Sequence, residues 1–172
     1  QGHSGEGVRQ LCEMVWSGVV GPIREVHAWT NRPIWPQGIK ERLPEEAVPS
    51  TLDWDLFLGP AAKRPYSKDY TPFKWRGWWD YGCGALGDMG CHILDAANWS
   101  LMLEYPSSVE CISQEGGTAE SPPIKAVIKF EFPARGSMPP VTVYWYDGGN
   151  LPPRPRGIAD TVRLGDGNNG SY

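Results

Sequence analysis

The chain has 172 residues and a formal net charge of -4, from 16 basic and 20 acidic side chains, with 40% hydrophobic residues. That length supports one domain with its own core. The bases are scattered among the acids and leave no positive stripe for a phosphate backbone, which excludes nucleic acid as a partner class, and no apolar run approaches the roughly eighteen residues that a membrane span needs.

The first element is a helix over Glu6–Ser17, where Val8, Leu11, Cys12, Val15 and Trp16 recur at helical spacing, with Ser4 as cap and Gly18 as stop. After the Gly21-Pro22 turn, Val26–Trp29 reads as a strand. Pro33–Pro49 carries four prolines and the charged run IKERLPEE, and is expected to be an exposed excursion without a core. A short helix over DWDLFLG follows, with Thr51 as its cap. The run CHILDAANWSLML predicts a second amphipathic helix ending at a Tyr-Pro stop. Three segments, SSVECISQEG, IKAVIKFEFPA and VTVYWYDGG, read as neighbouring antiparallel strands. From Asn150 the chain is rich in Pro, Gly and Asn, with no closing element expected. This order predicts an α+β fold, an open antiparallel sheet with helices on one face and the other face free for a partner.

The four cysteines lack the density of a disulfide scaffold and the spacing of a zinc site, and are expected to be mostly buried thiols, with no metal bound. Nine tryptophans raise the question of what their indoles face.

Chemistry concentrates in WWDYGCGALGDMGCHILDAANW, Trp78 to Trp99. Asp88 and His92 are four residues apart, so on a helix both leave one face. A histidine beside an acid can accept the proton of an alcohol. The bland alternative makes Asp88 a helix cap and His92 a satisfied, half-buried side chain; spacing alone leans to it. Gly82, Gly84, Gly87 and Gly90 would allow a ligand or cofactor to approach the backbone closely, although their spacing is no phosphate-binding fingerprint. Upstream, FKWRGWWDY offers Trp75, Trp78, Trp79 and Tyr81 beside Arg76 and Asp80. Indole faces against C–H groups, with charged groups for hydroxyls, are how a sugar or polyol is held. Core packing is the alternative for each ring.

Three blocks in order, GPIREVHAWTNRPIWPQG, STLDWDLFLGPA and WRGWWDYGCGALGDMGCHILD, resemble the Gfo/Idh/MocA family of nicotinamide-dependent oxidoreductases. The resemblance implies His92 as the proton-transfer residue with Asp88 its partner. The family layout implies a substrate domain with an open sheet that also forms oligomer contacts, hence a homo-oligomer. Asn31 and Arg32, in the first block, join Trp75, Arg76, Trp78, Trp79, Asp80 and Tyr81 as expected substrate contacts. The family's dinucleotide-binding domain has no counterpart here, for no strand is followed by GxGxxG and no EKP-like motif occurs. Residues 1–20 are therefore expected to be an inter-domain helix and 21–172 the substrate and oligomerisation domain, incomplete at its C-terminal end. NAD or NADP belongs to the full-length protein and no cofactor is expected on this chain alone. The implied function is the substrate half of a sugar or polyol dehydrogenase, inactive by itself. Alternatives are a non-catalytic carbohydrate-binding or oligomerisation module, or half of a nicotinamide-dependent glycosidase. Neither the sugar nor the compartment, cytoplasmic or periplasmic, is legible.

Overall fold

The computed structural model describes residues 2–172. Helix α1 spans Glu6–Trp16, β1 Glu25–Thr30, α2 Trp54–Leu58, α3 Gly84–Ile93 and α4 Asp95–Ser100, followed by β2 Ser108–Glu115, β3 Lys125–Phe132, β4 Val141–Tyr146 and β5 Asn169–Ser171. Among the described residues the strands form one open sheet in the order β2-β3-β4-β1-β5. The chain is thus α+β, with α1 and α4 packed on one face of the sheet.

The sheet is mixed. The pairs β2·β3 and β3·β4 are antiparallel as the alternating sequences predict, but β1 lies parallel to β4, with His27 opposite Tyr144 and Trp29 opposite Tyr146. A parallel neighbour needs a long crossover, and here everything between Thr30 and Val141 supplies it. Five of the six β1 residues are buried. The strand expected over Val26–Trp29 is thus present, and its burial explains why its residues show no strict apolar/polar alternation. The closing element that the sequence does not announce is β5, antiparallel to β1, with the His27 and Tyr172 backbones exchanging hydrogen bonds of 2.8 and 3.0 Å.

One core lies between helices and sheet. Val26, Val141 and Val143 meet Ala97 and Leu101 of the α4 region, with Val15, Ile23, Leu94, Phe130 and Phe132 at the margin. Each buried aliphatic side chain of this kind contributes about 1.5–3 kcal/mol. Helix α1 belongs to this core: Cys12 is buried, and the Trp16 indole N–H donates to the Ser100 carbonyl at 2.9 Å. A second core, aromatic, lies in the crossover between β1 and α3. Trp54, Tyr66, Tyr70, Trp78 and Tyr81 meet edge-to-face and stacked at centroid distances from 4.9 to 6.4 Å. Trp35, in the stretch expected to have no core, is also buried.

Several local expectations are corrected. The cap of α2 is Asp53, whose carboxylate accepts from Leu56 N–H at 3.0 Å, not Thr51. Helix α1 starts after Gly5 without a side-chain cap, so Ser4 does not serve. The single helix expected from Cys91 is two, broken at Leu94, and the first begins at Gly84. Cys12 alone is a buried thiol; Cys83, Cys91 and Cys111 are exposed, and all four are free.

Candidate functional site

The approach to α3 is built by close backbone contact. A Cβ on Gly82 would lie 2.6 Å from the Arg76 Cα and 2.7 Å from its carbonyl oxygen. Only glycine lets the chain fold back here, and this brings the turn Lys74–Gly77 alongside the start of α3. Gly84 starts the helix at φ +64, where a side chain would be strained and would strike Pro122. A Cβ on Gly87 would run into the Cys83 side chain. The space beside these three glycines is filled by the chain itself, which corrects the expectation of a ligand against their backbone.

The result is an ion pair. Arg76 Nε donates to Asp88 Oδ1 at 3.1 Å, both side chains being about three-quarters buried. The guanidinium carbon lies 4.5 Å from the Trp75 ring centroid, 4.7 Å from Phe73 and 5.9 Å from Trp35, and NH1 donates to the Phe73 carbonyl. Three aromatic faces and a carboxylate thus fix one cation, each cation–π contact contributing about 0.5–1 kcal/mol or more when desolvated. Asp88 sits in the middle of α3, so it is no helix cap. His92, one turn on, is exposed. No hydrogen bond joins Asp88 to His92 among the described residues; the carboxylate's partner is Arg76.

A second charged cluster adjoins the first through Asp80. Arg64 has only 7% of its side chain exposed and bridges Asp80 and Glu120, the latter at 2.7 Å; Arg42 also reaches Glu120, at 3.1 Å. Burial alone would lower the Arg64 pKa, but the hydrogen bonds to Glu120 and Asp80, with Tyr70 beside them, outweigh it and hold the guanidinium charged. Tyr81 is pushed up to about 12, chiefly by burial and then by neighbouring Tyr70, and its hydroxyl has no hydrogen-bond partner among the described residues.

The other expected substrate contacts divide. Trp75 lies at the ion pair. Trp75, Asp80 and Tyr81 share a cleft of about 580 Å³ with Phe57, Leu58, Pro60 and Ala61. Trp79 is half exposed, its indole N–H donating to the Thr118 carbonyl at 3.1 Å. Trp78 is 1% exposed inside the aromatic core, which removes it from any surface lining. Asn31 and Arg32 follow β1 and pair with each other at 2.7 Å; no hydrogen bond or ion pair links them to Arg76, Asp88 or His92 among the described residues. Sequence reasoning missed Trp35, Phe73, Arg64 and Glu120. Trp35 lies within the first resembling block, but nothing in the sequence marks Arg64 or Glu120 as neighbours of Asp80.

A family model described as "Oxidoreductase family, C-terminal alpha/beta domain" matches residues 5–121, about two thirds of the chain, from α1 through β2 and the ion pair. The chain belongs to the Gfo/Idh/MocA oxidoreductase family. A comparison with curated proteins finds no match. Gfo/Idh/MocA proteins in full length are generally NAD(P)-dependent. The residues described here do not fit a dinucleotide: side chains at Gly84 and Gly87 would run into Pro122 and Cys83, so the chain itself fills that space, and no glycine-rich strand-to-helix turn occurs among them. Nor do any three His, Cys, Asp or Glu side chains cluster as metal ligands among the described residues. No described helix is long and apolar enough to cross a membrane.

Proposed function

We propose that this domain is the substrate-binding half of an oxidoreductase acting on a sugar or polyol. The observation that carries the reading is the Arg76–Asp88 pair, held against the Trp75 ring on the helix that presents His92 one turn away. Asp88 Oδ2 has no partner of its own among the described residues and can accept from a substrate hydroxyl. His92, exposed beside them, is the group that takes the proton of the reacting hydroxyl.

The test is calorimetric titration of the chain with D-glucose and D-sorbitol, combined with NMR of the His92 ring protons across pH. Binding that is lost in Asp88→Ala and Arg76→Ala, with a His92 titration that moves when ligand is bound, is the expected result. The Asp88–Arg76 pairing, with no bond to His92, is what favours a second reading, a non-catalytic carbohydrate-binding module. Binding with an unmoved His92 titration would decide for that module, and absence of binding to either compound would sink both.

A further inference from the structure

The cleft beside Trp75 is not needed to hold a single ring at Asp88. It is lined by Phe57 and Leu58 at the end of α2, Pro60 and Ala61 of the next turn, and Trp75, Asp80 and Tyr81, and is a solvent-open cleft of about 580 Å³. That volume falls within the range of small-molecule sites, roughly 300–1,000 Å³. Its walls are aromatic and aliphatic, with one charged group, the Asp80 carboxylate, 32% exposed. Asp80 is fixed because its Oδ2 is bonded to buried Arg64, which Glu120 anchors in turn. Its Oδ1 has no hydrogen-bond partner among the described residues. A flat apolar wall with one immobilised acceptor suits a ring that shows C–H groups on its face and hydroxyls at its edge.

Trp75 is common to both places: its ring contacts the Arg76 guanidinium that pairs with Asp88, and it lines the cleft. We infer that the cleft is a subsite for a second sugar ring, so that the domain takes a disaccharide, one ring at Arg76–Asp88 and the other between Trp75, Phe57 and Tyr81 with a hydroxyl on Asp80. This rests on the sugar reading proposed above and names its substrate class.

The experiment compares D-glucose and D-galactose with cellobiose and lactose on the 172-residue chain, by calorimetry and by saturation-transfer NMR. The disaccharides are expected to bind at least about tenfold tighter than either monosaccharide, a difference well resolved in Kd, with both rings saturated. Ala61→Trp, which fills the cleft, is expected to remove the advantage while glucose binding stays, provided its melting temperature matches the parent; Ala61→Phe repeats the test with a smaller group. Arg76→Ala is expected to weaken monosaccharides and disaccharides alike. Equal affinities, saturation of one ring only, or an advantage that survives both Ala61 variants would overturn the second subsite and leave the sugar reading standing. A disaccharide bound in the cleft without regard to Arg76→Ala would overturn the two-ring arrangement. Binding of none of the four sugars would overturn both readings together.

Discussion

Asp147 is 4% exposed and accepts from Ala126 N–H at 2.6 Å and from the Trp145 indole N–H at 2.9 Å, tying the end of β4 to β3. Burial raises its pKa above the ordinary value of 3.8, against the lowering effect of those two donors. In Asp147→Asn one donor loses its acceptor, and we expect urea unfolding to show a loss of about 1–3 kcal/mol. The raised value fixes the sign of the pH dependence. The stability it adds is present below 3.8 and lost as pH rises through the folded value, so the deficit of the variant should grow on acidification. A deficit that shrinks toward low pH would contradict the raised direction. Gly82→Ala should cost roughly 2 kcal/mol or more because its Cβ meets the Arg76 backbone. Gly7→Ala, within α1 and with open space around it, should stabilise by up to about 1 kcal/mol. Thermal melts of the two variants must therefore move in opposite directions. Residue spacing showed Asp88 and His92 on one helix face, because four residues on a helix define a face. It could not show Arg76 as the partner of Asp88, since that contact depends on a backbone approach at Gly82 that no spacing encodes. Nor could it tell Trp78, sealed in the core, from Trp75, at the ion pair, because both are tryptophans among charged neighbours.

At the scale of elements, the legible strands were those joined to their neighbours by short connections, β2, β3 and β4. For β1 the strand itself was legible but its parallel pairing with β4 was not, and β5, three residues long and drawn from a Gly- and Asn-rich stretch, was not legible at all. Strand β5 is formed by tertiary contact rather than propensity: the Tyr172 ring lies 5.0 Å from His27 and 5.9 Å from Trp29, centroid to centroid. A chain ending at Asp166 should lose this cover. We expect the amides of His27 and Asn31, which donate to the Tyr172 and Asn168 carbonyls, to become fast in hydrogen exchange, while the amide of Thr142, bonded to Arg24, stays protected. Unchanged protection at His27 would mean that β5 does not hold that edge in solution. The break at Leu94 went unseen because apolar periodicity continues through it from α3 into α4.

Two surfaces bear on association: the face of the sheet away from the helices, where Tyr144 is half-buried and His27 packs beside Tyr172, and the exposed β2 edge. The edge is blunted. All eight residues of β2 are exposed, but a register shift between Cys111 and Ser113 bends the strand, and Glu110 and Glu115 put charge along it. Both features oppose edge-to-edge pairing. The face is different in its central part, where His27 stacks on Tyr144 and Tyr146 at 5.1 and 5.7 Å, flanked by Lys129 in its pair with Glu131. Aromatic rings at the centre with ion pairs toward the rim have the composition of an interface core and rim. Self-association of this chain is therefore expected to use the face. In sedimentation velocity across a dilution series, Tyr144→Lys should shift the chain to monomer, whereas Val109→Lys on the β2 edge should leave the distribution unchanged. The reverse pattern would assign association to the edge, and a parent chain that stays monomeric at every concentration would remove the expectation altogether, because a stable interface buries about 800 Å² per partner and would persist well into the dilution.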